Sequence, residues 1–192
     1  MGFLSELFGG GTSTVRTTVD RPLEIHNPVI GFLNLLGPAG SQLSEADQRV
    51  LGPLFTHTQV GNGLPPRCNV LFIYCSLNAR ADAPAPTAAP RDLIKAAGAH
   101  VAIFASENDS NAYIKCLGRR TDWGANIVMV LDRNGDKFAL FFSRLFAEMF
   151  RGRSMLLAWG NLAPRGPSAA HSELPSAILA AEAGHITFRK DG

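Results

Sequence analysis

From Asn126 to Leu131 the chain runs Asn-Ile-Val-Met-Val-Leu, a nearly unbroken apolar stretch, too short for an ordinary helix and bounded by turn residues. Such a run predicts a strand buried on both faces. Asp132 to Gly135 punctuates it, and from Asp136 to Arg151 the spacing changes. Phe138, Phe141, Phe142, Leu145 and Met149 recur three and four positions apart, while Lys137, Arg144 and Glu148 fall largely elsewhere; that is the pattern of a helix with one apolar face. Strand, tight turn and apolar helix make half of a βαβ unit, which predicts a parallel sheet with helices packed on it. Asn69 to Cys75 (NVLFIYC) and Ala99 to Ala105 (AHVAIFA) are two more strands of the same kind, the second preceded by a short helix from Arg91 to Ala97 that stops at Gly98. These runs, with a strand near the C-terminus, predict an α/β fold: a three-layer sandwich in which a mostly parallel central sheet is flanked by helices.

Elsewhere the pattern is weaker. Val29 to Leu36 is apolar and closes at Gly37-Pro38, and reads as a short helix or a strand. Ser44 precedes Glu-Ala-Asp and predicts an N-cap for a helix from Glu45 to about Phe55. Gly61 to Arg67 reads as a loop, Thr14 to Val19 as an edge strand, and Ala112 to Leu117 as one or two helical turns. Ser154 to Ala163 fits either a further strand or a helix capped by Ser154, and Ala177 to Phe188 a final strand or a hairpin turning near Gly184. The Ala/Pro-rich tract 79–90 predicts a mobile loop. Residues 1–13 stand apart: Phe3, Leu4, Leu7 and Phe8 share one face of a short peptide, followed by the spacer Gly9-Gly10-Gly11-Thr12-Ser13. The peptide reads as a partner-binding element on a tether, or as a terminus that folds back on its own domain, leaving 14–192 as a single α/β domain.

Composition narrows the function classes. With 192 residues, 46% hydrophobic and 18% charged, the chain can bury one substantial core. A net charge of +2, with Lys and Arg scattered, argues against nucleic acid as partner. Three cysteines, Cys68, Cys75 and Cys116, without a CxxC spacing suit a reducing, cytoplasmic setting and point to neither zinc nor a redox dithiol. No apolar run has the length of a membrane span, the first residues lack the pattern of a secretory signal, and Glu6 occupies the position where myristoylation wants Ser or Thr.

In open parallel sheets ligands bind beyond the carboxyl ends of the strands, which directs attention to Ser76–Asn78, Ser106–Asn111 and Asp132–Asp136. Ser106, Glu107, Asn108, Asp109, Asp132, Asn134 and Asp136 are the residues that could converge there on a polar ligand or a divalent cation. The same residue types also serve as turn formers and helix caps, Asp136 especially. Asp132-Arg133-Asn134-Gly135-Asp136 begins like a calcium loop, but Lys137 and Ser143 replace the required glycine and glutamate. His26, His57, His100, His171 and His185 show no metal-binding spacing, so no metal and no cofactor is expected. A Ser-His hydrolase would pair Ser106 with His171 or His185, without the Gly-x-Ser-x-Gly turn that usually presents such a serine. Cys75 and Cys116 read as small buried hydrophobes.

The order of strand, polar loop and helix, and then Gly124-Ala125, Asp136, Phe142, Leu145 and Gly152-Arg153-Ser154, resembles the C-terminal half of the caspase-like peptidases of the CHAT group. Ala102 to Glu107 stands where that family carries its cysteine nucleophile, with Ser106 in place of the cysteine. Cys75-Ser76-Leu77-Asn78 stands where the histidine-bearing loop would be. A cysteine peptidase needs a thiolate activated by a neighbouring imidazole, and both are missing. The resemblance therefore implies a caspase-like domain without peptidase activity, with a helix at Ser154 to Ala163. The function expected is an intracellular interaction or scaffold domain with a protein partner or self-assembly; the alternative is a hydrolase, or a small-ligand or metal-binding protein, that uses the polar strand-end loops.

Overall fold

The computed structural model describes residues 22–77, 88–117, 122–163 and 175–192. In chain order these residues form β1 (Leu23–His26), β2 (Val29–Asn34), α1 (Pro38–Leu51), β3 (His57–Asn62), β4 (Val70–Tyr74), α2 (Pro90–Ala97), β5 (Val101–Phe104), α3 (Ser110–Leu117), β6 (Asn126–Asp132), α4 (Lys137–Phe150), α5 (Met155–Leu162), β7 (Ser176–Ala181) and β8 (Ile186–Arg189). Six strands make one sheet in the order β3-β2-β4-β5-β6-β7. The first five run parallel, and β7 joins the β6 edge antiparallel. Counted within this sheet, the parallel part follows the doubly wound order 2-1-3-4-5.

The apolar runs explain the layers. Along β4 every residue is buried, and alternate residues point to opposite faces: Val70, Phe72 and Tyr74 join one core, Leu71 and Ile73 the other. The first core is closed by α1, α4 and α5, and it also takes in Ile25, Ile186 and Phe188 from the separate two-stranded sheet of β1 and β8. Helix α4 is its main brace. Phe138, Phe141, Phe142, Leu145, Phe146 and Met149 are all buried, whereas α5 buries only Met155 and Ala158. At about 1.5–3 kcal/mol per large side chain, burial along α4 outweighs that of α5 several-fold. Edge-to-face packing of Phe72 on Phe142, with ring centroids 5.6 Å apart, locks the helix to the middle of the sheet. The second core is closed by α2 and α3, through Leu93, Ile94, Ala97, Tyr113 and Leu117. Helix α2 ends where its sequence says it should: Gly98, at φ 71°, takes the left-handed conformation that a side chain would resist.

Several local expectations change. The helix placed at Glu45–Phe55 starts seven residues earlier, with Pro38 in its first turn, and ends in a 3-10 turn at Gly52–Leu54. Ser44 is therefore not a cap; it is buried in mid-helix and accepts a hydrogen bond from Gln48 Nε2. Proline's fixed φ and missing N–H suit a first turn, and that signal prevails over the serine. Val29–Asn34 is a strand, and β3 takes in the start of the stretch read as a loop from Gly61. Residues 155–162 are a helix, with Ser154 Oγ accepting from Leu157 N. The C-terminal run is not a hairpin: β7 pairs with β6, and β8 with β1. The edge strand read at Thr14–Val19, the apolar peptide Phe3, Leu4, Leu7 and Phe8, most of the 79–90 tract and His171 lie outside the described residues.

Candidate functional site

The chain leaves β2 toward β3 on one side and returns to β4 on the other, so the carboxyl ends of β2 and β4 form the topological switch of the sheet. The loops after β4, β5 and β6 do meet beside it. Asn108 N donates to Val130 O (3.3 Å), Leu77 N to Asn108 Oδ1 (2.6 Å), and Arg133 N to Glu107 Oε1 (3.1 Å). Convergence follows from three parallel strands of similar length in register.

The side chains there are engaged to different degrees. Ser106 Oγ accepts from Cys75 N (2.8 Å) and donates to Cys75 O (2.7 Å), so the hydroxyl ties the end of β4 to that of β5. Asn108 Nδ2 donates to Cys75 O (3.2 Å) and Ser106 O (3.1 Å), and Tyr113 Oη donates to Val130 O (2.9 Å). Ser106 and Asn108 are buried and satisfy backbone groups that the end of the ladder leaves open. Glu107, Asp132 and Asp136 are exposed, with Asn134 half-buried beside them. Asp132 Oδ1 accepts from Asn134 N (2.7 Å) in a local turn that lets Asn134 adopt φ 57°. Asp109 caps α3 through Ala112 N (2.8 Å), whereas Asp136 sits at the N-cap of α4 without a capping bond from its side chain. Among the described residues no three His, Cys, Asp or Glu side chains gather as metal ligands.

His185 is not near Ser106. Its Nδ1 lies 3.0 Å from Ser154 Oγ, and its neighbour Gly184 accepts from Asn126 Nδ2 at the first residue of β6. Ser106 and Asn108 sit at the other end of that strand, beside Val130. A Ser106–His185 pair would have to span the length of β6.

Sequence reasoning missed the most buried polar group of the region. Asp47 of α1 accepts two hydrogen bonds from Arg133 Nη2 (2.9 and 3.1 Å) and one from Tyr74 Oη (2.7 Å). Arg133 Nη1 also donates to Ala105 O, and its guanidinium stacks 3.7 Å from the Phe138 ring centroid. Burial pushes the Asp47 carboxyl above its ordinary range, and the Arg133 charge and the two donors pull it back. With every partner internal, this cluster bolts α1 to the strand ends and offers nothing to a ligand. Its only trace in the sequence is a tyrosine ending an aliphatic strand and an arginine after Asp132.

Open space lies elsewhere. A groove of about 280 Å³ runs between α3 and the β6–β7 edge, lined by Tyr113, Ile114, Leu117, Met129, Ile178 and Ala180 among others. Ile114 is 69% exposed and Ile178 43%. One end is closed by Arg91, which donates to both Glu182 carboxylate oxygens (2.8 and 2.7 Å) and to Leu117 O. Neutralised in this way, the end of the groove carries no net charge. Beyond α3 this face of the sheet has no helix among the described residues.

Fold and loops together define a doubly wound α/β domain in which Ser106 and Asn108 bond to strand-end backbone groups and an apolar groove lies beside α3. In comparisons with known proteins, no family model, curated protein or solved structure matches the chain. Among the described residues no helix is long and apolar enough to cross a membrane.

Proposed function

We propose that the chain is an intracellular protein-interaction or scaffold domain, a catalytically silent relative of the caspase-like peptidases, with the α3–β7 groove as its docking surface. The observation that carries this reading is a contrast. The serine standing in the nucleophile position has its hydroxyl bonded on both sides to Cys75, whereas no described residue covers the apolar groove edged by Ile114 and Ile178. A nucleophile needs a base within hydrogen-bond reach, and the described histidine considered for that role is at the far end of β6. Contiguous exposed apolar surface is, conversely, a recurrent mark of association. The helix at 155–162 and the mostly parallel sheet are further support for the caspase-like resemblance.

The reading is tested by placing a benzophenone amino acid at position 178 in the groove, and at Leu157, which is 60% exposed on α5, as control. Photolysis in the producing cell is expected to give discrete adducts from 178 and none from 157. No adduct from 178, either to another protein or within the chain, or fluorophosphonate labelling of the chain that Ser106→Ala abolishes, would overturn it.

A further inference from the structure

We infer that, in the resting chain, the α3–β7 groove is filled in cis by the chain's own N-terminal segment, through Phe3, Leu4, Leu7 and Phe8. The inference deepens the docking reading above and rests on it in one respect only, that the groove accepts apolar side chains.

Three observations select this occupant. First, the groove asks for apolar matter without a strong charge. Its walls are Ile114, Leu117, Met129, Ile178 and Ala180, and the Arg91 guanidinium at its end is neutralised by Glu182. Second, four segments of the chain lie outside the described residues, and they differ sharply in what they could supply. Residues 78–87 read NARADAPAPT and 118–121 read GRRT, with no large aliphatic or aromatic side chain; 164–174, PRGPSAAHSEL, has a single leucine. Residues 1–8, MGFLSELF, place two phenylalanines and two leucines at positions i, i+1, i+4 and i+5, one face of a helix, with Glu6 as their sole charged side chain.

Third, the chain re-enters the described structure close to the groove. Leu23 N donates to His185 O (2.7 Å), and His185 is three residues beyond Glu182, a chain path of about 11 Å at most from the groove's end. Residues 9–21 link the apolar segment to that point. Any thirteen-residue chain reaches roughly 43 Å when extended, and a coil of that length averages about 20 Å end to end. A short tether that exceeds the span gives an effective concentration on the order of millimolar, which favours the chain's own segment over that of a second copy.

The full-length chain is the material for the test. With isoleucine methyls labelled, spectra are compared between wild type and F3S/L4S/L7S/F8S. The Ile114 and Ile178 methyl resonances are expected to shift, while those of Ile30 and Ile103, fully buried in the opposite core, stay in place and report an intact fold. Reciprocally, I114E/I178E is expected to raise the mobility of the Gly9–Gly11 amides to that of a free tail. Coincident methyl spectra, or Gly9–Gly11 already as mobile as a free tail in wild type, would overturn the inference. Sedimentation gives the third arm. A wild-type dimer that the four-serine variant converts to monomer would assign the groove to the segment of another copy and overturn docking in cis; equal monomers support it. If the benzophenone at 178 gives adducts to another protein while the N-terminal segment proves free, only this inference fails. If it gives no adduct at all, neither to another protein nor to residues 1–8, the docking reading fails with it.

Discussion

Arg133→Met keeps an unbranched side chain under α1 but deletes the charge that faces Asp47. The Asp47 side chain is 2% exposed, and that of Arg133 9%. In the variant the carboxylate keeps the Tyr74 hydroxyl and loses both guanidinium contacts. Removing one partner of a buried pair typically costs about 3–5 kcal/mol, which for a chain of this size lowers Tm by roughly 6–20 °C. The cost depends on pH in a defined direction. Burial already raises the Asp47 pKa, and the two largest opposing influences come from Arg133, so its loss raises the folded-state value further. A carboxyl whose folded pKa lies above its unfolded pKa is a liability once ionised: its contribution is most favourable below the unfolded pKa and is lost as pH rises through the folded one. The deficit of R133M is therefore largest at neutral pH and above, and shrinks toward mild acid. Urea unfolding followed by the fluorescence of Trp123 and Trp159 at pH 5 and pH 8 measures this, and D47N/R133M is expected to recover much of the loss at pH 8. A stability change under about 1 kcal/mol, or one identical at both pH values, would refute the account of the cluster as a buried ion pair that fastens α1.

Three further outcomes follow from single contacts. Ser106→Ala takes from the buried Cys75 N–H its acceptor and leaves Cys75 O with Asn108 Nδ2, and is expected to cost about 1–3 kcal/mol in urea unfolding; a neutral result would mean that Ser106 is not a structural tie. Gly61→Ala drives a methyl into Leu64 O and to 2.8 Å from Pro66 Cδ, a clash that the backbone must absorb, and should lower stability by about 1–3 kcal/mol; an unchanged Tm would contradict the close packing of β3 against the loop after it. Burial pushes the Cys68 and Cys75 thiols up to about 12, whereas Cys116 is half-buried on α3. Iodoacetamide at pH 8 should therefore modify the native chain at Cys116 alone and all three cysteines in urea, as mass spectrometry would show; early modification of Cys75 would contradict its burial.

The layered α/β fold was legible because a strand buried on both faces has to be apolar without a break, and because α4 spells its face in phenylalanines at helical spacing. Gly98 and Ser154 could be read as helix boundaries because αL geometry and side-chain capping are local affairs. Ser44 misled for the same reason: a serine before acidic residues is the local signature of a cap, and only packing of α1 on the sheet shows it in mid-helix. β3 escaped because His57–Asn62 is a polar edge strand, recruited by its ladder to β2 and not by any pattern of its own.

For the site the division runs the same way. The amino-acid order alone determined that polar residues follow β4, β5 and β6, and that a cluster of large apolar side chains precedes a glycine spacer. Tertiary structure decided the rest. It committed Ser106 and Asn108 to the backbone of a neighbouring strand, brought Asp47 of α1 to Arg133, set His185 at the opposite end of β6 from Ser106, and left the α3–β7 groove uncovered by the described residues. Spacing along a chain fixes what each segment can bury, whereas hydrogen-bond partners and uncovered faces depend on which distant segments are brought together, and that is settled only when the sheet closes its order.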